Sequence, residues 1–297
     1  MITGASGIVG KELAHQLKKN EKYKIFLLSN SKIKIKNKKD KFTVLKQDLT
    51  KPLVFNLKMD TIVHCASKNP LSNTDRKMKT IYQKNIKMTK NLIEFANKTN
   101  VKKIIFLSSM DIYGSVHKKI VFESQKKIKP SLYGKSKFLS EKLFCNRKNK
   151  FKAVCLRIPG VFTVNISRKR QPLIVNILKK ILKNENIDIY NFNKHFNNII
   201  DPQEIAKFIN KAIKIDLNRS DYYNFCASRP IKFINVVNLI KKIFKSNSKI
   251  MVKNSKKNSF IISNSKIKNY FNFKISTTKN IILRNCRKIK NTNYKVA

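Results

Sequence analysis

Tyr133 and Lys137 have the residue types and the spacing that proton transfer requires. They stand four positions apart in a segment that predicts a helix, so both side chains should lie on one helix face. An ammonium group beside a phenol stabilises the phenolate and lowers the tyrosine pKa from its ordinary value of about 10. Such a tyrosine can exchange a proton with a hydroxyl or carbonyl group near neutral pH.

The same spacing occurs at Tyr190–Lys194 and at Tyr270–Lys274, so spacing alone does not identify a site. In a chain this rich in lysine, such pairs arise by chance. Tyr133 differs from the other two because Ser109 ends a predicted strand 24 residues before it. In parallel sheets, active-site groups lie at the carboxyl ends of the strands.

The first ten residues, MITGASGIVG, contain a T-G-x-x-G-x-x-G loop with Gly4, Gly7 and Gly10. In a loop of this kind the first glycine permits a tight turn and the second lets a pyrophosphate approach the backbone. The third lets the following helix pack close to the strand, and the helix N-terminus attracts an anion. The loop indicates a dinucleotide site, although an ordinary strand–helix turn gives the same pattern. Only Met1 and Ile2 precede Thr3, so we expect a short first strand.

Predicted strands and helices alternate along the first half of the chain. Apolar segments predict strands at 23–29, 41–49, 61–66, 102–109 and 151–158, and amphipathic segments predict helices at 9–19, 81–99 and 133–144. This alternation implies an α/β fold with a Rossmann-type doubly wound parallel sheet. We expect residues 1–160, with 199–228 returning to the sheet, to form an NAD(P)-binding domain. Residues 161–198 and 229–297 would form a smaller C-terminal α+β substrate lobe.

Two motifs surround the three candidate catalytic residues: SSMDIYG (Ser108–Gly114) and PSLYGKSKFLSEK (Pro130–Lys142). Together with the glycine loop they resemble the extended short-chain dehydrogenase/reductase family, in particular its NAD-dependent epimerase/dehydratase group. The resemblance covers nearly the whole chain. It implies that Tyr133 donates or accepts the proton, and that Lys137 holds the nicotinamide ribose and lowers the tyrosine pKa. It also implies that Ser109 hydrogen-bonds the reacting oxygen.

The resemblance further implies which residues contact the cofactor. Asp48 and Leu49 match a pair that contacts adenine, and Pro159 belongs to a segment that lies beside the nicotinamide. The expected cofactor-binding residues are Gly4, Gly7, Ile8, Gly10, Ser29, Asn30, Asp48, Leu49, Ala66, Ser67, Asn85, Tyr133, Lys137 and Pro159.

The end of the second predicted strand bears on the choice between NAD and NADP. An acidic residue there favours NAD, because it accepts hydrogen bonds from the ribose hydroxyls. This chain has Ser29, Asn30, Ser31 and Lys32 instead. This segment contains no carboxylate that would repel a 2′-phosphate, and Lys32 could attract one. The sequence therefore favours NADP over NAD.

By this resemblance the chain is an NAD(P)-dependent sugar-nucleotide epimerase or 4-keto-sugar reductase. Met110 and Asp111 do not reproduce the Asp-Glu pair of the sugar 4,6-dehydratases, which disfavours dehydration. Asn197 or Asn198 falls near the usual arginine that binds a sugar-nucleotide pyrophosphate. This departure leaves open a reductase of a non-sugar ketone. A non-enzymatic cofactor-binding protein is a third alternative, against which the Ser109, Tyr133 and Lys137 set argues.

The net charge of +50 would ordinarily suggest a nucleic acid or a membrane surface as partner. The lysines are spread over the whole chain, however, and no nucleic-acid-binding motif accompanies them. We therefore expect a small-molecule substrate, no specific nucleic acid and no membrane, with a homodimer left open. Five cysteines without a C-x-x-C pair predict free thiols, no metal site and a cytoplasmic location.

Two further titratable residues are interpreted as structural. His64 lies in a predicted buried strand and is expected to be a packing residue and not a base. Glu141, one turn beyond Lys137, is expected to pair with a lysine on the helix surface.

Overall fold

The structure is a computed structural model that describes residues 1–33, 42–69, 75–163, 172–254 and 259–291. The chain divides into two compact units. The first comprises Met1–Ser115, Lys126–Arg157 and Ile205–Tyr223, and the second comprises Val116–Gln125, Ile158–Glu204 and Asn224–Ala297. That one unit binds the cofactor and the other the substrate stays a prediction.

Fifteen short or medium strands lie in the described residues. In chain order they are β1 (Ile2–Thr3), β2 (Ile25–Ser29), β3 (Phe42–Lys46), β4 (Thr61–His64), β5 (Lys103–Ser109), β6 (Ile120–Val121), β7 (Lys152–Ile158), β8 (Gly160–Val161), β9 (Ile187–Tyr190), β10 (His195–Phe196), β11 (Ile199–Ile200), β12 (Asp221–Asn224), β13 (Ile231–Lys232), β14 (Ile250–Lys253) and β15 (Ile261–Ile262).

Eight α-helices and one 3-10 helix (Met110–Tyr113) accompany the strands in the described part of the chain. The α-helices are α1 (Ile8–Leu17), α2 (Asp75–Lys98), α3 (Leu132–Phe144), α4 (Leu173–Leu182), α5 (Pro202–Lys214), α6 (Phe233–Phe244), α7 (Ser265–Phe271) and α8 (Thr278–Asn291). Every helix in these residues is too short or too polar to span a bilayer.

The first unit is built on a seven-stranded sheet in the order β3-β2-β1-β4-β5-β7-β12. The neighbouring strands from β3 to β5 run parallel. This order, in which the chain starts near the middle and reverses its direction of growth at β1, is that of the doubly wound Rossmann fold. The expected α/β fold is therefore confirmed.

The burial of the strands explains why their sequences read as continuous apolar runs. All five residues of β2 and six of the seven of β5 are buried, as expected for strands covered on both faces. β3 stands at the edge of the sheet and is largely exposed. β1 has only two residues, as expected, yet it pairs with β2 and β4 on either side.

Helices α2 and α3 pack against each other through buried polar pairs as well as apolar contacts. The hydroxyls of Thr89 and Ser140 lie 2.8 Å apart, and Asn85 Nδ2 donates to Ser136 Oγ at 3.1 Å. These pairs fix the rotation of α3, so they help to decide which of its residues face the end of β5.

The second unit contains four two-stranded pieces, β10-β13, β11-β8, β14-β9 and β15-β6. A buried polar network joins the start of α5 to α8. The Asp201 carboxylate accepts from the backbone N–H of Glu204 at 2.8 Å and pairs with Arg284 at 2.7 Å. Glu204 in turn accepts from the backbone and hydroxyl of Ser276.

Candidate functional site

Ser109 and Tyr133 are positioned by the end of β5 and the start of α3. Ser109 is the last residue of β5, and its hydroxyl oxygen accepts from the backbone N–H of Asp111 at 3.1 Å. Its own proton is left to donate to a ligand. Ser131 caps α3 by accepting from the N–H of Gly134 at 3.0 Å. The cap places Tyr133 in the first helical turn.

Two glycines let the segment after Ser109 lie directly against the start of α3. A Cβ on Gly134 would overlap the carbonyl oxygen of Asp111, and one on Gly114 would overlap that of Ile128. Gly114 also has a φ of 62°, a left-handed conformation that side chains disfavour. Since Gly134 follows Tyr133 directly, this approach brings the backbones that carry Ser109 and Tyr133 together.

Lys137 lies one helical turn after Tyr133 and is buried. Its ammonium donates to the carbonyl oxygen of Leu107 at 2.9 Å, and it lies 5.8 Å from the ring centroid of Tyr133 and 4.7 Å from that of Phe106. Burial lowers the Lys137 pKa to about 8, while interactions with Cys65, Glu141 and Cys155 oppose the shift. At neutral pH the ammonium is therefore mostly protonated, and a positive charge is fixed beside the Tyr133 ring.

The glycine loop joins β1 to α1 with little space around it. Gly4 has a φ of 65°, and a Cβ there would lie 2.7 Å from the backbone of Ala66. A Cβ on Gly10 would overlap the carbonyl oxygen of Gly4. Gly7 is the N-cap residue of α1 and provides no side-chain cap, and the first turn of that helix carries no acidic residue. The free N–H groups of this turn can therefore bind a phosphate group.

Ser67 carries the one buried side-chain oxygen without a hydrogen-bond partner among the described residues. It lies just beyond β4, next to Ala66, which packs on Gly4. Buried hydroxyls are almost always hydrogen-bonded, so an unpaired one indicates a missing partner. The glycine loop and this unpaired hydroxyl both fit a dinucleotide.

Residues 1–222 match the family described as NAD dependent epimerase/dehydratase. The chain belongs to that family. The expected resemblance is thereby confirmed, and the protein is an enzyme that depends on a dinucleotide of the NAD type.

Relatives of this epimerase/dehydratase agree in length and fold. The uncharacterized protein MJ1055 of Methanocaldococcus jannaschii is 26% identical over 271 residues, covering 84% of this chain and 82% of that protein. The UDP-N-acetylglucosamine 4-epimerase of Methanobrevibacter ruminantium M1, solved with UDP-N-acetylmuramic acid, has a TM-score of 0.82 at 20% identity, covering 99% of this chain and 98% of its own. MoeE5 in complex with UDP-glucuronic acid and NAD has a TM-score of 0.80 at 16% identity, with 98% of each chain covered.

Several predicted cofactor residues of this family member hold one another at the carboxyl edge of the sheet. Ser29, at the end of β2, donates from its hydroxyl to Ser6 Oγ in the glycine loop at 2.7 Å. Its hydroxyl oxygen also accepts from the N–H of Ser31, while Asn30 is exposed. Ile8 is the first residue of α1. These contacts fix the end of β2 against the loop.

Asp48 and Leu49 follow β3, and their side chains face different surroundings. The Asp48 carboxylate accepts from the N–H and the hydroxyl of Thr50, both at 2.9 Å, and the backbone hydrogen bond is the main reason that the Asp48 pKa is lowered. Leu49 packs in the apolar core. Of this pair, Asp48 carries a polar side chain that is bonded to Thr50, whereas Leu49 belongs to the core.

The side chain of Asn85, which is predicted to contact the cofactor, makes three hydrogen bonds within the protein. Its Oδ1 accepts from the N–H of Lys68, and its Nδ2 donates to the carbonyl oxygen of Lys68 and to Ser136. Both amide protons are thus engaged. Asn85 holds the segment after β4 against α3, and this contact positions the neighbouring Ser67. Pro159 follows β7 and belongs to the second unit.

The expectation that Glu141 pairs with a surface lysine is wrong. Glu141 is buried and forms an ion pair with Arg157 at 2.8 Å. Arg157 lies in β7 and is fully buried, and a buried guanidinium requires a carboxylate partner. An arginine within an apolar strand is the sequence signal for such a buried ion pair. Glu141 is the acidic residue on the Tyr133–Lys137 face of α3, so it is the partner that this signal indicates.

Two other residues have structural roles that the structure makes explicit. The His64 ring accepts or donates a 2.8 Å hydrogen bond with Thr3 and stacks on Phe106, consistent with the expected packing role. Asn197 is buried and bonds to the backbone of Ile262 and Ala227 within the second unit. Its amide therefore stabilises the second unit internally.

Proposed function

We propose that this enzyme interconverts a hydroxyl and a ketone at one carbon of a nucleotide sugar, as a sugar-nucleotide epimerase or a 4-keto-sugar reductase. The observation that carries the proposal is the Lys137 ammonium, fixed by the Leu107 carbonyl 5.8 Å from the Tyr133 ring. Ser109 ends the strand that supplies this carbonyl. A phenol activated in this way, with a hydroxyl donor on the next element, suits proton exchange with a carbinol oxygen.

Each of the three residues has a distinct proposed role. Tyr133, as phenolate, takes the proton from the substrate hydroxyl, and it returns the proton when the ketone is reduced. Lys137 stabilises the phenolate and binds the nicotinamide ribose. Ser109 donates a hydrogen bond to the reacting oxygen and holds it in place. When bound, the nicotinamide supplies the hydride acceptor for oxidation and the hydride donor for reduction.

The cofactor-binding residues are proposed from the carboxyl edge of the sheet. Gly4, Gly7 and Gly10 would leave room for the pyrophosphate beside the first turn of α1, which also includes Ile8. Ser67 would gain a partner for its unpaired hydroxyl. The adenosine end would be bound by residues after β2 and β3, namely Ser29, Asn30, Asp48 and Leu49. Ala66, Asn85 and Pro159 complete the proposed set.

We propose NADP over NAD as the preferred form of the cofactor. The described residues 29–33 after β2 include no carboxylate, and Lys32 is exposed there. A ribose 2′-phosphate would meet positive charge at this position. MoeE5 was solved with NAD, so the comparison supports a dinucleotide of this class and leaves the choice to experiment. Fluorescence titration with NADPH and NADH decides it: tighter NADPH binding is expected, and tighter NADH binding would reverse the assignment.

The substrate class is proposed from the family and the solved relatives. Both solved relatives carry a UDP-linked sugar. A reductase of a non-sugar ketone is the second candidate. It is favoured because Asn197 or Asn198 falls near the position of the usual pyrophosphate-binding arginine, and the Asn197 amide is buried and bonded to the Ile262 carbonyl oxygen. Thermal shift with cofactor and UDP-sugars separates the two, because a ligand stabilises the state that it binds. Stabilisation by a UDP-sugar supports the first candidate, and its absence supports the second.

The reaction type is tested by the cofactor balance during turnover. An epimerase returns the hydride to the same substrate and consumes no cofactor, whereas a reductase oxidises one NADPH for each product. Incubating the enzyme with catalytic or stoichiometric NADP(H) and a UDP-sugar, followed by chromatography of the sugars, distinguishes these outcomes. A cytoplasmic location and a homodimer stay predictions.

A further inference from the structure

Glu141 and Arg157 form a buried ion pair one helical turn beyond Lys137. Arg157 donates through Nε and a terminal nitrogen to both carboxylate oxygens, at 2.8 to 3.2 Å, and the two side chains are 0% and 2% exposed. Removing two charges from water costs several kcal/mol for each ion, so such a pair is weak evidence for stability alone. Its placement near the site suggests another role.

The pair is attached to the strand that ends at Ser109. The Ser108 hydroxyl donates to Glu141 at 2.5 Å, one residue before Ser109. The preceding residue, Leu107, accepts from Lys137 through its carbonyl oxygen. Successive residues at the end of β5 thus bond to successive turns of α3. A displacement of Glu141 would therefore change the position of Ser109 relative to Lys137.

Arg157 extends the same network to the segment after Ser109. It donates to the hydroxyl of Tyr113 at 2.8 Å, and its guanidinium lies 4.0 Å from the ring centroid of Tyr222. Tyr113 ends the 3-10 helix that begins directly after Ser109. The guanidinium is therefore held on several sides, which fixes the carboxylate that it binds.

Few charged groups face Lys137 from the elements packed around it. His64 and Cys65 approach from β4 and Cys155 from β7, but burial lowers the His64 pKa to about 3 and raises the Cys65 pKa to about 12. Burial also raises the pKa of Cys155, so all three are neutral at neutral pH. The Tyr133 ring centroid lies 5.8 Å from the ammonium. Among the described groups that act on Lys137, Glu141 is the one carboxylate, and it is ion-paired with Arg157.

We propose that Glu141 is a positioning residue that keeps the Lys137 ammonium charged and holds the end of β5 against α3. The proposal rests on the function proposed above, in which the charged Lys137 binds the nicotinamide ribose and stabilises the Tyr133 phenolate. Ser108 and Arg157 act through Glu141 by fixing its carboxylate.

The test measures dinucleotide binding against pH and needs no turnover. Binding of NADPH to the full-length protein is followed by its fluorescence from about pH 6 to about pH 10. Wild type is expected to lose affinity as Lys137 loses its proton. Glu141→Gln keeps the shape of the side chain and removes its charge, so this loss should move about one pH unit lower. Lys137→Met should show no such loss.

Arg157→Gln provides a second test of the same role. It leaves the buried carboxylate without its guanidinium partner, which displaces it and favours its neutral form, so the loss of affinity should again move to lower pH. Ser140→Ala, the matched control next to Glu141, removes a buried hydrogen bond without changing any charge and should leave the midpoint where it is. A merely structural role for the pair would lower stability in both variants without moving the midpoint of the pH dependence.

The possible outcomes separate this inference from the proposed function. If wild type binds neither NADPH nor NADH at any pH, the proposed function fails. If wild type shows the pH dependence but Glu141→Gln and Arg157→Gln leave it unmoved, only the role of Glu141 is overturned. Where one variant does not fold, the other decides; failure of both to fold would assign the pair to stability and also overturn the proposal.

Discussion

Gly134 and Asp111 approach so closely that a Cβ at residue 134 would overlap the Asp111 carbonyl oxygen. One residue before Gly134 stands Tyr133, and two residues before Asp111 stands Ser109. Because residue 134 has no Cβ, the backbone segments that carry Ser109 and Tyr133 can lie next to each other. The Y-G pair of the motif is therefore explained by packing.

Gly134→Ala should separate these backbones and impair catalysis. A displacement of about 1 Å between reacting groups can cost about 100-fold in rate, and we expect a loss of that order in kcat. The added methyl group should also lower stability, since buried overpacking costs roughly 1–3 kcal/mol. Steady-state kinetics and urea unfolding measure the two effects. Lys135→Ala, on the exposed side of the same turn, is the control, and an equal loss there would contradict the explanation.

Ser67→Ala should weaken cofactor binding without destabilising the free protein. The unpaired hydroxyl contributes no hydrogen bond to the unliganded fold, so its removal should leave the free energy of unfolding unchanged or slightly raised. A single hydrogen bond lost to the dinucleotide corresponds to an increase in Kd of about tenfold. Ser140→Ala should behave in the opposite way, because its hydroxyl is paired with Thr89. Unchanged affinity in Ser67→Ala would remove Ser67 from the site.

The sequence predicts the sheet better than it predicts the contacts within it. Apolar runs indicate where β2 and β5 lie, because strands covered on both faces need no polar alternation. The ends of the strands are predicted less accurately than their positions. The strand expected at 61–66 ends at His64, because the chain then turns to pack Ala66 on Gly4. The helix expected at 81–99 begins earlier, at Asp75.

The polar contacts around the site depend on tertiary structure and could not be assigned from spacing. Arg157 and Glu141 are 16 positions apart, and only the packing of α3 on the sheet brings them together. The hydrogen bond between Asn85 and the backbone of Lys68 depends on how the loop after β4 folds, and spacing does not reveal it. The unpaired hydroxyl of Ser67 is likewise visible only once every neighbouring group has been placed.

Lys103→Met tests a buried lysine that stabilises the end of a helix. The Lys103 ammonium donates to the carbonyl oxygens of Ala212, Ile213 and Ile215, at 2.8, 2.9 and 2.5 Å. Loss of these charge-assisted bonds should lower the free energy of unfolding by about 2–3 kcal/mol. Lys102→Met is the neighbouring control, because its 3.7 Å pair with Asp60 is exposed on both sides and contributes little. Equal losses in the two variants would contradict this prediction.

His64 should make the protein less stable in mild acid. Burial lowers its pKa to about 3 in the folded protein, with a further effect of the Lys137 charge, against an ordinary value of about 6.5 in the unfolded chain. Below pH 6.5 the unfolded state binds the extra proton, so this stability is present above that pH and falls by about 1.4 kcal/mol per unit toward lower pH. Between about pH 6.5 and about pH 5 the free energy of unfolding should decrease in both proteins. The decrease in His64→Gln should be smaller than that in wild type by roughly 2 kcal/mol. The free energy of unfolding is measured with urea at each pH. If it changes with pH equally in the two proteins, His64 is not held neutral.

The proton-transfer role of Tyr133 is tested most directly by mixing the cofactor-loaded enzyme with a UDP-sugar and recording the near-ultraviolet absorbance of reduced nicotinamide. Wild type with the oxidised cofactor should develop this absorbance when the substrate is oxidised. Tyr133→Phe should bind the cofactor with unchanged affinity and develop none. Equal absorbance in wild type and Tyr133→Phe, at equal cofactor occupancy, would contradict the account.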